Sequence, residues 1–196
     1  SRLNYPMIDG KVVGCPHHIL EPQSTNLIQY SEAFDNTVWE YGGIIKTSNE
    51  AISPDGTLNA EKIEITTLST PNLRQTVGVL PSNKYTFSFY AKSNELSNLK
   101  LAVYDLSNAL FILENEEKLI NSKWSRVSVT FTTPSGCNSV RAFIFRNSDA
   151  LGSFYVWGGQ LESGSYETSY IANLATGSST RSAETATDSG NASTFN

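Results

Sequence analysis

The sequence predicts an all-β protein, an antiparallel β-sandwich of the jelly-roll type. Roughly ten short apolar or alternating segments recur along the chain, and turn-forming residues separate them. The clearest alternation runs over residues 84–92, and no segment has the apolar period of a helix longer than a turn or two. Short strands at this spacing are typical of two packed antiparallel sheets.

The predicted strands follow one another with few interruptions. In chain order they are 26–34, an edge strand; 43–48 and 60–66, on either side of a turn at 53–56; 73–77; 84–92; 99–104; 110–113; 124–132; 140–145; and 153–165. The Glu-rich stretch 108–120 is ambiguous between helix and hairpin, and its surroundings favour the hairpin.

The last predicted strand contains a double glycine, Gly158-Gly159. Glycine inside a strand pattern indicates a bulge or a close approach of another backbone. We expect this strand to close the fold against the N-terminal strands, and nothing after Ser165 to belong to the core.

Three regions of the chain differ in character. Residues 1–18 contain glycine and proline without a sustained apolar period, and we interpret them as an N-terminal arm. Residues 19–172 carry the strand pattern of the sandwich. Residues 173–196 are rich in Ser, Thr, Ala and Gly, which indicates a linker or tail with too little apolar surface to fold alone.

The composition argues against several classes of protein. The 196 residues carry a net charge of −5, and the 14 Lys and Arg residues form no basic run, so we expect no nucleic-acid partner. The apolar runs are too short for membrane insertion. An opening Ser in place of Met is typical of a processed, trimmed or excised piece.

Catalytic patterns are weak, and the sequence predicts no enzyme. The two histidines, His17 and His18, both lie in the arm, and no spacing singles out a pair of carboxylates for glycoside hydrolysis. We expect the two cysteines, Cys15 and Cys137, to be unpaired thiols, with a disulfide between them as the alternative.

Aromatic residues beside polar ones indicate a sugar-binding surface. Sugar rings stack on aromatic faces, and their hydroxyls need polar partners. The candidate ligand-binding residues are Trp39, Tyr41, Tyr90, Lys92, Tyr104, Arg141 and Arg146. We expect Tyr90, Lys92 and Tyr104 to share one open sheet face with an arginine, and Trp39 and Tyr41 to extend it from the adjoining edge. The alternative for each aromatic residue is packing in the core or at its rim.

Several stretches occur together in the order found in a known family. They are 20–34 followed by Trp39, 54–57, 85–92, 124–127, 157–165 and 168–171, with 180–184 in the tail. Together they resemble a jelly-roll module family of phage tail and head-fibre proteins and of secreted marine bacterial proteins. More distantly, the layout is similar to carbohydrate-binding modules of families 4, 9 and 22.

The resemblance implies binding or structure rather than catalysis. The leading hypothesis is a non-catalytic glycan-binding module of a secreted enzyme or phage adhesin, extracellular or on the virion, with a polysaccharide or cell-surface glycan as partner. One alternative is a structural or receptor-binding domain of a phage tail or head fibre, without glycan affinity and assembled as a homotrimer. A glycan-active enzyme is the other.

The resemblance also implies a cofactor. Related modules often hold a structural Ca²⁺ between their first and last strands, and Glu32 is the candidate ligand in this chain. Gly158-Gly159 stands where the closing strand of those modules usually carries an Asp.

Overall fold

The computed structural model describes residues 17–185 and, before them, residues 2–4, 7–8 and 11–12; for residues before Leu20 it describes the backbone alone. Within these ranges every regular element is a β-strand. The strands are β1 (Arg2–Asn4), β2 (Met7–Ile8), β3 (Lys11–Val12), β4 (His17–Ile19), β5 (Ser24–Asn26), β6 (Trp39–Gly42), β7 (Ile44–Ile52), β8 (Leu58–Ile65), β9 (Asn72–Gly78), β10 (Lys84–Lys92), β11 (Asn98–Asp105), β12 (Leu110–Leu119), β13 (Ser125–Thr132), β14 (Ser139–Arg146), β15 (Gly152–Ser163) and β16 (Ser179–Arg181).

Ten of these strands form two five-stranded antiparallel sheets, and the predicted β-sandwich is confirmed. Sheet I has the order β13-β10-β15-β8-β7, and sheet II has the order β12-β11-β14-β9-β6. The stretch 108–120 forms the second strand of the β11–β12 hairpin, as its surroundings indicate. Residues Thr25–Ser179 make one compact unit, and the described residues of the two chain ends belong to a second. The predicted limits of the arm, the sandwich and the tail stay predictions.

The core lies between the inner faces of the two sheets. Every second residue of β10, beginning with Tyr85, is buried there, as the alternating sequence predicts. Phe145 of sheet II meets Phe154 of sheet I edge to face, with ring centroids 5.4 Å apart. The described part of the chain contains no helix with the length and apolarity that a bilayer crossing requires.

The double-glycine strand lies at the centre of sheet I. β15 pairs with β8 and β10. It also contacts the N-terminal end of the domain, as expected: the Leu27 N–H donates to the Leu161 carbonyl and the Gly159 N–H to the Ser31 carbonyl, both at 2.8 Å. The register between β10 and β15 shifts next to the glycines, which confirms the predicted bulge. Gly158 has φ +66°, and an added Cβ would come within 3.3 Å of the Tyr170 ring. Glycine is therefore required by both conformation and space.

The predicted edge strand 26–34 is wrong, because regular pairing ends at Asn26. Tyr30 has a positive φ of 45°, which an extended strand does not allow. Ile28 and Phe34 are nevertheless fully buried in the hydrophobic core, so the apolar residues reflect burial rather than a strand.

Of the two cysteines predicted to be unpaired thiols, the structure describes only Cys137. Cys137 is a buried free thiol, and burial together with the neighbouring Asp105 carboxylate raises its pKa to about 11. Cys15 lies outside the described residues.

The side chain of Asn26 ties the segment after β5 to the centre of sheet I. Its Nδ2 donates to the carbonyls of Gly159 (2.9 Å) and Ile171 (2.8 Å). Its Oδ1 accepts from the N–H groups of Ile28 (3.0 Å) and Leu161 (3.2 Å). Asn26 is completely buried, so these four bonds satisfy backbone groups that water does not reach.

A second buried polar group, Glu61, lies under the turn at residues 34–35. One carboxylate oxygen accepts from the N–H of Asp35 at 2.9 Å, and the other is buried without a hydrogen-bond partner. Burial raises the pKa of Glu61 to about 7, although the Asp35 N–H and the charge of Lys46 act in the opposite direction.

We expect Asn26→Ala to lower the free energy of unfolding by about 3 kcal/mol or more, because it leaves several buried backbone groups unpaired. Urea denaturation measures the change. Asn138→Ala is the matched control: Asn138 is exposed, its side chain bonds only two residues back, to Gly136, and we expect a change within about 0.5 kcal/mol. A loss below about 1 kcal/mol for Asn26→Ala contradicts the role assigned to it.

We expect Glu61→Gln to flatten the pH dependence of stability between pH 4.5 and about 7. The pKa of Glu61 is higher in the folded state than its ordinary value of 4.5, so proton binding favours the fold. That stabilisation is complete below pH 4.5 and is lost as the pH rises through about 7, by at most about 3 kcal/mol. Melting curves across this range test it; parallel profiles for the two proteins contradict it.

Candidate functional site

The segment 166–173 covers the outer face of sheet I around residues 157–162 of β15. Thr168 and Ile171 are buried there, so the expectation that nothing after Ser165 belongs to the folded interior is wrong. The Thr168 hydroxyl donates to the Glu162 carboxylate at 2.7 Å, and the N–H of Ile171 donates to Gln160 Oε1 at 2.7 Å. The polar outward residues of β15 therefore bind this segment.

Tyr90 and Lys92, two predicted ligand-binding residues, lie on the outer face of sheet I. The Tyr90 ring packs on Trp157, with centroids 5.6 Å apart, and the Arg126 guanidinium lies 5.5 Å from its centre. Lys92 Nζ lies over the rings of Trp124 (4.8 Å) and Tyr155 (5.3 Å).

Tyr90 and Tyr104 do not share a face, and that expectation is wrong. The strands that carry them, β10 and β11, follow each other in sequence but belong to different sheets. Their outward residues consequently point to opposite sides of the sandwich.

The outer face of sheet II carries a groove of about 350 Å³. Its lining combines aromatic rings, guanidinium groups and amide or hydroxyl groups, contributed by Thr70, Asn72, Arg74, Tyr104, Phe111, Arg141, Phe143 and Arg146. Three predicted ligand-binding residues, Tyr104, Arg141 and Arg146, thus come together here.

Strand pairing arranges the groove residues in two rows across sheet II. In one row Tyr104 lies between Phe111 and Arg141, and Arg141 is followed by Thr76. In the other, Phe143 pairs with Arg74, and Arg74 pairs with Glu40. Because cross-strand neighbours lie about 5 Å apart, each row places aromatic rings directly beside an arginine. The eight lining residues, together with Thr76 and Glu40 at the ends of the two rows, are called the sheet II groove below.

The aromatic end of the sheet II groove is held by ring contacts. Tyr104 meets Phe111 at a centroid distance of 4.9 Å and an interplanar angle of 67°. The Arg146 guanidinium lies 4.6 Å from the centre of the Phe111 ring and donates to Glu114 at 2.9 Å. These contacts fix the orientation of both rings while leaving them partly exposed.

The opposite end is held by an ion pair. Arg74 donates through Nε (3.2 Å) and Nη2 (3.0 Å) to one carboxylate oxygen of Glu40, and Thr76 donates to the other oxygen at 3.2 Å. Burial raises the pKa of Glu40, but the bonds and charge of Arg74, with the nearby charge of Arg141, outweigh it and leave the pKa lowered. Glu40 therefore stays ionised.

Trp39 and Tyr41 lie on β6, the edge strand of sheet II, but neither lines the groove. Trp39 is 1% exposed and packs on Phe34, so its ring face is not available to a sugar. Tyr41 is exposed, yet it pairs with the inward-facing Leu73 and lies beneath Lys46, whose Nζ is 4.0 Å from the ring centre. It therefore points away from the side that carries Glu40.

Sequence reasoning missed five of the eight residues that line the groove. Arg74 lies between the buried residues Leu73 and Gln75, and this alternation alone identifies it as outward-facing. Phe111 and Phe143 carried no such signal, because a Phe in an apolar strand is expected in the core.

The predicted calcium ligand Glu32 lies beside Tyr170 and Asn59, and the calcium site stays a prediction. The Glu32 carboxylate accepts hydrogen bonds from the Tyr170 hydroxyl (3.1 Å) and from Asn59 Nδ2 (3.1 Å), and its pKa is raised, chiefly by burial. Calcium takes about six to eight oxygen ligands. Across the described ranges, no group of three or more His, Cys, Asp or Glu residues is placed to hold a metal.

Comparison with solved structures finds the same fold in a phage tailspike domain and in two carbohydrate-binding modules. The tailspike protein 4 enzymatically active domain of bacteriophage CBA120 matches with a TM-score of 0.57 and 14% identity, over 71% of this chain and 21% of that one. The CBM22-1 xylan-binding domain of Paenibacillus barcinonensis Xyn10C matches with a TM-score of 0.50 and 14% identity, over 71% and 92%. TmCBM61, solved with β-1,4-galactotriose, matches with a TM-score of 0.51 and 12% identity, over 69% and 97%.

The chain thus spans about a fifth of the tailspike chain but nearly the whole of the two binding modules. A search of curated protein sequences finds no match. A sequence profile of the Carbohydrate binding domain family, of the 4/9 type, matches residues 30–151. Because this match covers more than half of the sequence and most of both sheets, the chain belongs to the Carbohydrate binding domain family and is a glycan-binding module.

Proposed function

We propose that this module binds a polysaccharide in the sheet II groove. The observation that carries the proposal is the proximity of partly exposed aromatic rings and guanidinium groups in a groove on the outer face of sheet II. Tyr104 and Phe111 offer apolar faces for sugar rings. Arg74, Asn72 and Glu40 offer donors and acceptors for hydroxyl groups.

The dimensions of the groove suit an extended chain rather than a single sugar. The residues that line it come from β12, β11, β14 and β9 of sheet II and from Thr70 just before β9. Three interstrand spacings separate Phe111 from Thr76, about 14 Å in total. The rings and the Arg74–Glu40 pair lie at opposite ends of this span. A polymer that crosses the strands therefore contacts both.

The location of the module, outside the cell, is also a proposal. The sugar-related family and the fold shared with a phage tailspike domain support a site of action outside the cell, on a secreted protein or a virion. A homotrimer is the signature of the fibre alternative, and the solution mass of the chain distinguishes it from a monomeric module.

We expect Tyr104→Ala to weaken polysaccharide binding by about 1–3 kcal/mol, roughly 5- to 150-fold in Kd, because the ring is a central contact of the groove. Isothermal titration calorimetry or affinity electrophoresis against a panel of soluble polysaccharides measures this. Xylan and β-1,4-galactan belong in the panel, with acidic polymers beside them.

Two tyrosine variants serve as controls. Tyr166→Ala removes a ring that is 57% exposed and lies outside the groove, and we expect no change in affinity or melting. Tyr90→Ala removes the ring packed on Trp157; we expect it to lower stability by about 2 kcal/mol and leave affinity unchanged. Loss of binding in Tyr90→Ala with retention in Tyr104→Ala overturns the choice of face.

The same polysaccharides test the absence of catalysis. We expect no release of reducing ends during prolonged incubation with any polymer that the protein binds. Glycoside hydrolysis needs two carboxyl groups beside the scissile bond, and in the groove Glu40 forms an ion pair with Arg74 and Glu114 one with Arg146. Sustained release that survives repurification of the protein contradicts the assignment.

A further inference from the structure

The centre of the sheet II groove is occupied by Arg141. It projects from β14, the middle strand of the sheet, with Tyr104 as its cross-strand neighbour on one side and Thr76 on the other. Its side chain is half-buried. A ligand that crosses the groove passes this guanidinium.

Arg141 differs from the other two groove arginines in having no hydrogen-bond or ion-pair partner within the described ranges, although the Glu40 charge lies nearby. Arg74 is paired with Glu40, and Arg146 with Glu114. Among the residues that the structure describes, none gives Arg141 a hydrogen bond or an ion pair, and its Nε is buried without an acceptor. The groove therefore holds three guanidinium charges against two carboxylates, an excess of one positive charge in a chain of net charge −5.

This excess is an unusual feature for a surface that binds only neutral sugars. A buried donor with no acceptor costs free energy, and a guanidinium in a partly enclosed groove is weakly screened. Arginine presents a planar fork of donors that matches a carboxylate or another oxyanion in two parallel hydrogen bonds. An anionic group on the ligand supplies the missing acceptor and the missing charge at once.

We propose that the sheet II groove is selective for an acidic polysaccharide, with an anionic group of the sugar, a uronate carboxylate or a sulfate ester, bound by Arg141 while the adjacent ring stacks on Tyr104. This inference rests on the proposed function, since it assigns the ligand class of the same groove. The ionised Glu40 opposes non-specific anion binding, because its carboxylate repels anions that are not directed onto Arg141.

The test compares anionic and neutral polymers on the full chain. The anionic arms are polygalacturonate and alginate for carboxylate, and a sulfated galactan for sulfate; the neutral arms are xylan and β-1,4-galactan. We expect at least one anionic polymer to bind about tenfold or more tightly than the neutral ones at low salt, and this preference to shrink as the salt rises. The anionic arm that binds identifies the group.

The variants separate the groove from the overall charge of the chain. We expect Arg141→Gln to weaken binding of the acidic polymer by about 10- to 100-fold and to change neutral binding little. Lys84→Gln removes the same charge from an exposed position on sheet I, and we expect it to change neither. Arg141→Lys keeps the charge and the stem but lacks the fork, so we expect intermediate affinity; it also serves if Arg141→Gln does not fold by circular dichroism.

Each failure has a distinct meaning. If neutral polymers bind with dependence on Tyr104 and the acidic ones bind no better, the selectivity is wrong and the proposed function stands. If Arg141→Gln and Lys84→Gln weaken acidic binding equally, the attraction is non-specific and the role of Arg141 is wrong. If no polymer of either class binds, the proposed function fails together with the selectivity.

Discussion

Burial of one face of each sheet against the other is the constraint on which the rest of this structure depends. Every second side chain of the central strands lies between the sheets, and Phe145 against Phe154 marks the contact between them. Apolar burial of this kind is the main stabilising contribution to a β-sandwich. Because the inward side chains are buried between the sheets, a binding site can form only from outward side chains, loops and sheet edges.

The two outward faces differ in how far they are covered, because residues 166–173 pack on part of sheet I. On sheet I, the polar residues of β15 bind residues 166–173, and Asn26 ties the same region to the start of the domain. Those polar groups are internal hydrogen-bonding partners, and they keep the segment in place. On sheet II, the groove keeps aromatic and guanidinium groups partly exposed.

The groove on sheet II can change its ligand without disturbing the fold. Its side chains contact one another across the strands through ring stacking and ion pairs, and the residues on either side of them in sequence carry the core. A change of an outward residue therefore alters the charge or shape of the groove with little effect on apolar burial. A shared fold with binding modules for different sugars is consistent with this separation.

The sequence by itself determined the strands and their inward faces. The alternation in β10, the turn before β8 and the bulge at Gly158-Gly159 are local signals, since period two and glycine conformation depend only on neighbouring residues. Tyr104 was predicted to bind ligand for the same reason, because it follows an outward position of its strand. Arg141 and Arg146 are five residues apart on β14, and the register irregularity between Phe143 and Phe145 lies between them.

Only the tertiary structure decided which outward residues share a face. Sheet membership depends on contacts between distant parts of the chain, so β10 and β11 are consecutive in sequence yet lie in opposite sheets, and Tyr90 is separated from Tyr104. The same holds for Phe111 and Phe143, whose apolar side chains resemble core residues until the groove around them is known. Alternation assigns a residue to one side of its strand; long-range pairing decides whether that side is buried, covered or open.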